Sequence, residues 1–196
     1  MILSFYCDIM NFCVSITPWF AKSHDKKLRS DLFYMKPKFL AVTAIIAALY
    51  IAVTYTLSFL SYGEIQFRIA EIFNHLVAFN PRYMLAVVSG VFIANLFSPL
   101  GWFDLVFGVS HSVICLTILI IVGKYVKNVI YRMLINSFVF TFMMWIIALE
   151  LKLALELPFW LSWLTTAIGE AVVLFVGIPI MKLLDKRLDF KNLIGR

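Results

Sequence analysis

The stretch Pro158–Leu184, PFWLSWLTTAIGEAVVLFVGIPIMKLL, decides the fold. It is longer than the roughly 20 residues that a helix needs to cross a bilayer, and Glu170 is its single charged residue before Lys182. A water-soluble core does not accommodate so long an apolar run. The stretch therefore predicts a membrane-spanning helix with a carboxylate near its middle.

Similar apolar runs recur along the whole chain. The sequence is 63% hydrophobic and 14% charged, whereas soluble domains have roughly 25% charged residues. The pattern predicts an all-α, polytopic membrane protein built as a compact bundle of six transmembrane helices. The other five spans are expected near Phe39–Leu60, Ile65–Phe79, Tyr83–Phe97, Phe103–Val122 and Val129–Leu149.

The distribution of basic residues predicts the orientation. Of the 17 Lys and Arg residues, all but Arg68 and Lys152 fall in segments that are cytoplasmic if the amino terminus is inside. Because positive residues are retained on the cytoplasmic side, this favours six spans with both termini cytoplasmic. The net charge of +6 is then membrane-flanking charge, and no nucleic-acid partner is expected.

Residues 1–35 differ from the rest of the chain. A broken apolar stretch comes first and a basic run, Lys22–Arg29, follows it, which is the reverse of a signal peptide. Either this extension is an amphipathic arm at the inner surface, or translation starts at Met35, the interpretation we prefer. We therefore divide the chain into residues 1–35 and a membrane domain, residues 36–196.

Small residues recur every four positions in the first span, at Ala44, Ala48 and Ala52. They lie on one stripe of a helix, where small side chains let another helix approach closely within lipid. The stripe predicts either docking of a partner helix or packing within the chain's own bundle.

The second span carries a polar stripe. Glu64, Arg68, Glu71 and His75 follow one another at spacings of four, three and four, which places them on one face of an α-helix. Ionisable groups within a membrane usually face the bundle interior and pair there. The stripe indicates either a ligand site or a structural pair between Arg68 and Glu71.

Two further acidic residues are candidates. Asp104 opens the fourth span, where a carboxylate either caps the helix or contacts a ligand. Glu170 lies deep in the last span, on the same helical face as Trp163 and Ala167. Trp163 either anchors the helix at the membrane interface or stacks on a ligand.

The sequence lacks three common nucleotide-binding and catalytic motifs. There is no phosphate-binding loop for ATP, no nucleophile elbow and no His-Glu-x-x-His zinc motif. We therefore expect no enzyme, no catalytic residues, no metal and no cofactor.

Three segments carry a family resemblance: Ile65–Glu71, Asn95–Gly108 and Gly169–Leu174. In this order they resemble the QueT family of queuosine-precursor transporters, the substrate-binding S components of energy-coupling factor transporters. The resemblance covers about residues 36–184. It implies a six-helix S component of the bacterial cell membrane, which binds a 7-deazaguanine base and docks on a transmembrane T component with two cytosolic ATPases.

Taken with the polar pattern, the resemblance predicts a binding pocket near the outer face. The alternatives are an S component for another vitamin-like molecule, or a non-transport membrane enzyme or structural subunit. The side chains expected to bind the substrate are Gln66, Phe67, Arg68, Glu71, Asn95, Asp104, Trp163 and Glu170.

Overall fold

Helices and short turns make up the described chain. The structure is a computed structural model that describes residues 37–57 and 67–194, and the contacts below lie within the unit formed by residues 41–196. The predicted extension, residues 1–35, lies outside the described residues. The helices are α1 (Pro37–Thr56), a 3-10 helix (Ile69–His75), α2 (Leu76–Phe79), α3 (Tyr83–Asn95), α4 (Trp102–Val122), α5 (Val129–Met143), α6 (Trp145–Leu155), α7 (Phe159–Leu188) and α8 (Phe190–Leu193).

Four helical runs among the described residues are long and apolar enough to cross a membrane. They are α1, α4, the nearly continuous run Val129–Leu155, and α7, while Ile69–Phe79 and Tyr83–Asn95 are shorter apolar helices. The predicted all-α membrane class is therefore confirmed. The count of six spans and the orientation of the termini stay predictions.

Two helix boundaries differ from the predicted ones. The second span was expected to be an α-helix from Ile65, but residues 67 and 68 are not helical and Ile69–His75 is a 3-10 helix. The fifth span was expected to end at Leu149, but the helix continues to Leu155 because no proline or glycine interrupts it. It ends at Glu156, whose φ of 58° is left-handed. Glu150 therefore lies inside a helix.

Glycines allow two close helix contacts. A Cβ atom at Gly90 of α3 would lie 2.8 Å from the Cβ of Tyr50 on α1, which is too close for two carbon atoms. A Cβ atom at Gly177 of α7 would lie 3.2 Å from Cδ2 of His75. These glycines bring α1 and α7 close to the polar residues of the interior.

Hydrogen bonds from side chains link the short helices α2, α3 and α8 to their neighbours. The turn between α2 and α3 has the sequence Asn-Pro-Arg at 80–82, and Asn80 Oδ1 accepts from the Arg82 amide at 3.1 Å. Tyr83 donates its hydroxyl to the Phe190 carbonyl at 2.9 Å, which fixes α8 against α3. Arg132 donates Nη2 to the carbonyl of Gly123 at 2.6 Å and Nη1 to that of Ala78 at 3.3 Å. These bonds satisfy carbonyl groups at helix ends.

Candidate ligand-binding site

Five charged side chains are buried in the described part of the chain. The exposed fraction is 8% for Arg68 and at most 3% for the carboxyl groups of Glu71, Asp104, Glu150 and Glu170. Ionisable groups inside a membrane protein are costly, so they mark functional sites or pair with one another. One guanidinium faces four carboxyl groups here, which leaves acidic groups in excess.

The upper layer of this interior lies where α3 ends and α4 begins. Arg68 Nη2 donates to Oδ1 of Asp104 at 3.0 Å, and Ser98 Oγ donates to Oδ2 of the same carboxylate. Asn95 Nδ2 donates to the Asp104 backbone carbonyl at 2.9 Å. A Cβ atom at Gly108 would lie 2.5 Å from Asn95 Nδ2, so glycine is required at that position. The upper layer is a closed network that joins the segment before the 3-10 helix to α3 and α4.

A salt bridge between Arg68 and Glu71, one of the two alternatives that the sequence left open, is not seen among the described residues. Arg68 precedes the 3-10 helix with φ −83° and ψ 81°, so the helical spacing that would bring the two side chains together does not exist. Arg68 pairs with Asp104 instead. Asp104 was expected either to cap α4 or to contact a ligand. Capping is not seen, because its side chain makes no capping hydrogen bond and Gly101 is the N-cap of α4. Contact with a ligand stays a prediction.

Glu150 completes the upper layer, and the sequence analysis missed it. Its exposed fraction is 0%, and neither carboxyl oxygen accepts a hydrogen bond from any donor in the structure. It interacts electrostatically with Asp104 and Arg68. The sign that could have revealed it is the lack of a helix breaker between Leu149 and Pro158, since a helix extended to Leu155 buries Glu150 beside Ile147 and Leu151.

The middle layer is centred on Glu71. The hydroxyl of Tyr50, from α1, donates to Oε1 at 2.7 Å, and Asn74 Nδ2 donates to Oε2. Residues three apart eclipse in a 3-10 helix, which places Asn74 next to Glu71. Oδ1 of Asn74 is buried and has no hydrogen-bond partner. Tyr50 and Asn74 were not predicted as site residues, and they hold the Glu71 carboxylate in a fixed orientation.

Glu170 faces the same layer from α7. It is 1% exposed, its Oε1 has no hydrogen-bond partner in the structure, and it interacts electrostatically with Glu71 and Arg68. At about 1.5 Å per residue, Glu170 lies roughly 17 Å into the helix that begins at Phe159. The structure thus brings together Glu71 and Glu170, which the sequence analysis placed in one site.

A lower layer closes the polar interior. His75 Nε2 lies 2.9 Å from the Leu174 carbonyl, which only accepts, so Nε2 carries the proton. Nδ1 is then the acceptor for Asn136 Nδ2 at 3.4 Å. Oδ1 of Asn136 and Nε2 of His111 are buried without partners. His75 was predicted as part of the polar stripe of the second span, whereas Asn136 was not predicted.

Two other predicted residues, Phe67 and Trp163, make no side-chain hydrogen bond with the described residues of this network. Phe67 is half-buried, and Gln66 lies outside the described residues. Trp163 donates its indole N–H to the Phe142 carbonyl at 3.2 Å and packs against a cluster that includes Ile147 and Leu151. Stacking of Trp163 or Phe67 on a ligand stays a prediction.

The alanine stripe of α1 is exposed. Ala44, Ala48 and Ala52 all lie on the exposed side of the helix. The opposite side of α1, which includes Ala47 and Tyr50, is buried. Packing within the chain's own bundle, the alternative that the sequence left open, is therefore not seen in residues 41–57 and 67–194.

Comparisons with known proteins give the family. No solved structure matches the chain. A protein of Lactococcus lactis subsp. cremoris (strain MG1363), named queuosine precursor transporter QueT, is 38% identical over 158 residues, which is 76% of this chain and 93% of that protein. The model of the QueT transporter family matches residues 40–186. With its long apolar helices, the protein is a multi-pass protein of the cell membrane. The chain belongs to the QueT transporter family.

Proposed function

We propose that this protein is the substrate-binding membrane subunit of an uptake transporter for a queuosine precursor, a 7-deazaguanine base. The observation that carries the proposal is the relative that is named a queuosine precursor transporter and covers 76% of the chain. The buried polar interior gives it a chemical basis, because its unpartnered atoms include the acceptor oxygens of Glu170 and Asn74, which match the N–H donors of a guanine-like ring.

Glu170 is the proposed anchor of the ligand. A guanine-like edge offers adjacent N–H donors, which a carboxylate accepts in a forked pair worth roughly 1.5 to 3 kcal/mol per charged hydrogen bond. Oε1 of Glu170 has no hydrogen-bond partner in the structure, so no internal bond has to break. Glu71, already oriented by Tyr50 and Asn74, offers a second acceptor beside it.

The charge of the interior supports a donor-rich ligand. Arg68 pairs with Asp104, so its charge is committed to the upper layer. Glu71 and Glu170 interact with each other and gain little compensation from that pair. Uncompensated charge in a low-dielectric interior is costly. A ligand with several N–H donors or a positive charge, such as an amine-bearing 7-deazaguanine, would relieve this cost.

The other predicted site residues take supporting parts in this proposal. Arg68, Asn95 and Asp104 hold the entrance of the pocket, because their mutual bonds already occupy most of their polar atoms. Gln66 supplies donors and acceptors to the ring, and Phe67 or Trp163 stacks on its face.

The transport assembly follows from the same family. We propose six spans with both termini cytoplasmic, and an S component that docks on a T component carrying two cytosolic ATPases. The exposed stripe of Ala44, Ala48 and Ala52 is the proposed docking face, because small side chains allow close helix approach in lipid. The sequence has no phosphate-binding loop of its own, so the proposal assigns the energy source to the partners.

The test is ligand binding by the purified full chain. Small molecules extracted from the protein are identified by mass spectrometry without preselection, and 7-deazaguanine bases are then titrated by calorimetry, with adenine as the comparison. We expect a 7-deazaguanine to be recovered and to bind, whereas adenine does not. Recovery of a different vitamin-like molecule would replace the ligand but keep the class. Failure to bind any small molecule would leave a structural subunit and overturn the proposal.

A further inference from the structure

The contacts described above do not explain how the carboxyl group of Glu150 is stabilised inside the protein. Its carboxyl group is completely buried in α6, and neither oxygen accepts a hydrogen bond from a donor within residues 37–57 and 67–194. An ionised carboxylate without donors is among the most costly groups to bury. Glu150 therefore needs either a cation, a donor or a proton.

The neighbouring groups supply Glu150 with neither a free cation nor a hydrogen-bond donor. Asp104 of α4 and Arg68, from the segment before the 3-10 helix, are the charged groups that interact with Glu150. Arg68 Nη2 is engaged with Oδ1 of Asp104, and Ser98 donates to Oδ2. Asp104 is thus an ionised acceptor balanced by Arg68. A second ionised carboxylate would leave the upper layer with a buried net negative charge.

A proton on Glu150 removes the conflict. The Glu150 and Asp104 side chains interact directly with each other. Two adjacent carboxylates do not both ionise readily, and one proton between them turns repulsion into a hydrogen bond. Since both oxygens of Asp104 already accept from other donors, the proton belongs to Glu150.

We propose that Glu150 is a protonated, neutral positioning residue that donates a hydrogen bond to Asp104 and so keeps the charge of Arg68 committed to the upper layer. Glu150 does not contact the ligand in this proposal. Resting on the proposed function, this assignment leaves the Arg68–Asp104 pair of the upper layer undisturbed, because an ionised Glu150 would compete with Asp104 for the one buried guanidinium of the described chain.

Two substitutions of Glu150 in the full chain distinguish a protonated carboxyl group from an ionised one. Glu150→Gln keeps a neutral donor for Asp104, whereas Glu150→Leu removes the donor. Because the proposed donor survives in the first variant, we expect its affinity for a 7-deazaguanine to stay within about twofold of wild type. The second leaves Asp104 without that donor, and affinity should fall about tenfold.

Infrared spectroscopy detects directly whether the carboxyl group of Glu150 is protonated. The difference spectrum between wild type and Glu150→Gln at neutral pH should show loss of the C=O stretch of a protonated carboxyl group, with the isotope shift expected in heavy water. Between acidic and neutral pH the unfolded chain releases the Glu150 proton while the folded chain keeps it, so the thermal stability of the wild type should fall with rising pH more steeply than that of Glu150→Gln.

The opposite results overturn the inference. Loss of a carboxylate band in the difference spectrum, or a drop in affinity for Glu150→Gln as large as that for Glu170→Gln, would make Glu150 an ionised ligand contact. If the wild type binds no 7-deazaguanine, the proposed function fails, while the infrared and stability measurements still decide the state of Glu150.

Discussion

The hydroxyl of Tyr50 donates to the Glu71 carboxylate across 2.7 Å, and this bond joins α1 to the 3-10 helix. One side of α1 therefore contacts a proposed ligand-binding carboxylate, while the other side carries the exposed stripe of Ala44, Ala48 and Ala52. A shift of α1 on ligand binding would therefore change both the contact with Glu71 and the position of the exposed alanine stripe.

Removing this hydroxyl should weaken ligand binding. Tyr50→Phe leaves Glu71 with one fewer donor, at a cost of about 1 kcal/mol, so calorimetry should show an affinity roughly five- to tenfold lower. The matched control is Tyr55→Phe, whose hydroxyl makes a long 3.5 Å contact with the Ala94 carbonyl. Equal losses in both variants would show that the Tyr50–Glu71 bond has no special part in binding.

Glu170→Gln should weaken binding of a 7-deazaguanine by about tenfold or more, since it keeps the shape but replaces one acceptor by a donor. The protein should stay folded, as judged by its thermal unfolding. Glu156→Gln is the control, because Glu156 is an exposed carboxylate at the end of α6. Unchanged affinity in Glu170→Gln would identify a structural carboxylate and a misplaced site.

Ala48→Leu should abolish uptake by cells while the purified subunit binds its ligand as before, because a large side chain keeps a partner helix at a distance. Val172→Leu adds bulk at an exposed position of α7 and should leave uptake intact. A fall in ligand binding by Ala48→Leu would mean that the stripe serves internal packing.

Gly108→Ala should destabilise the protein, against the usual gain from replacing glycine within a helix. The new methyl group would meet Asn95 Nδ2 at 2.5 Å and push Asn95 off the Asp104 carbonyl, at a cost of about 1 to 3 kcal/mol. Thermal unfolding measures the change. Val106→Ala, an exposed position on α4, should have little effect, and a stabilised Gly108→Ala variant would contradict the network described.

Cysteine labelling tests the orientation. In a background with Cys7 and Cys13 replaced by serine, where the one native cysteine left is the buried Cys115, cysteines introduced one at a time at Trp102 and Leu155 should react with an impermeant reagent added outside, and one at Tyr125 should not. All three native side chains are exposed, so burial does not explain a difference. Outside labelling at Tyr125 would exclude a cytoplasmic loop between α4 and α5.

Local patterns made the helices and part of the site predictable. The apolar runs located every long helix because hydrophobic length depends on the sequence alone. The partner of Arg68 was not predictable, since Asp104 is 36 residues away and the local spacing favoured Glu71. Glu150 was missed for another reason: the predicted span stopped one residue before it. Tyr50 lies on a helix with no polar pattern, so its bond to Glu71 depends on how α1 packs.

The 3-10 helix has a consequence for reach. A 3-10 helix rises about 2.0 Å per residue against about 1.5 Å in an α-helix, so its seven residues gain about 3.5 Å of length. The short segment Ile69–Phe79 is thereby longer than its number of residues suggests. Rewinding it into an α-helix would draw Asn74 and His75 towards Arg68 by a few ångströms. The spacing between the upper layer at Arg68 and the lower layer at His75 thus depends on backbone pitch.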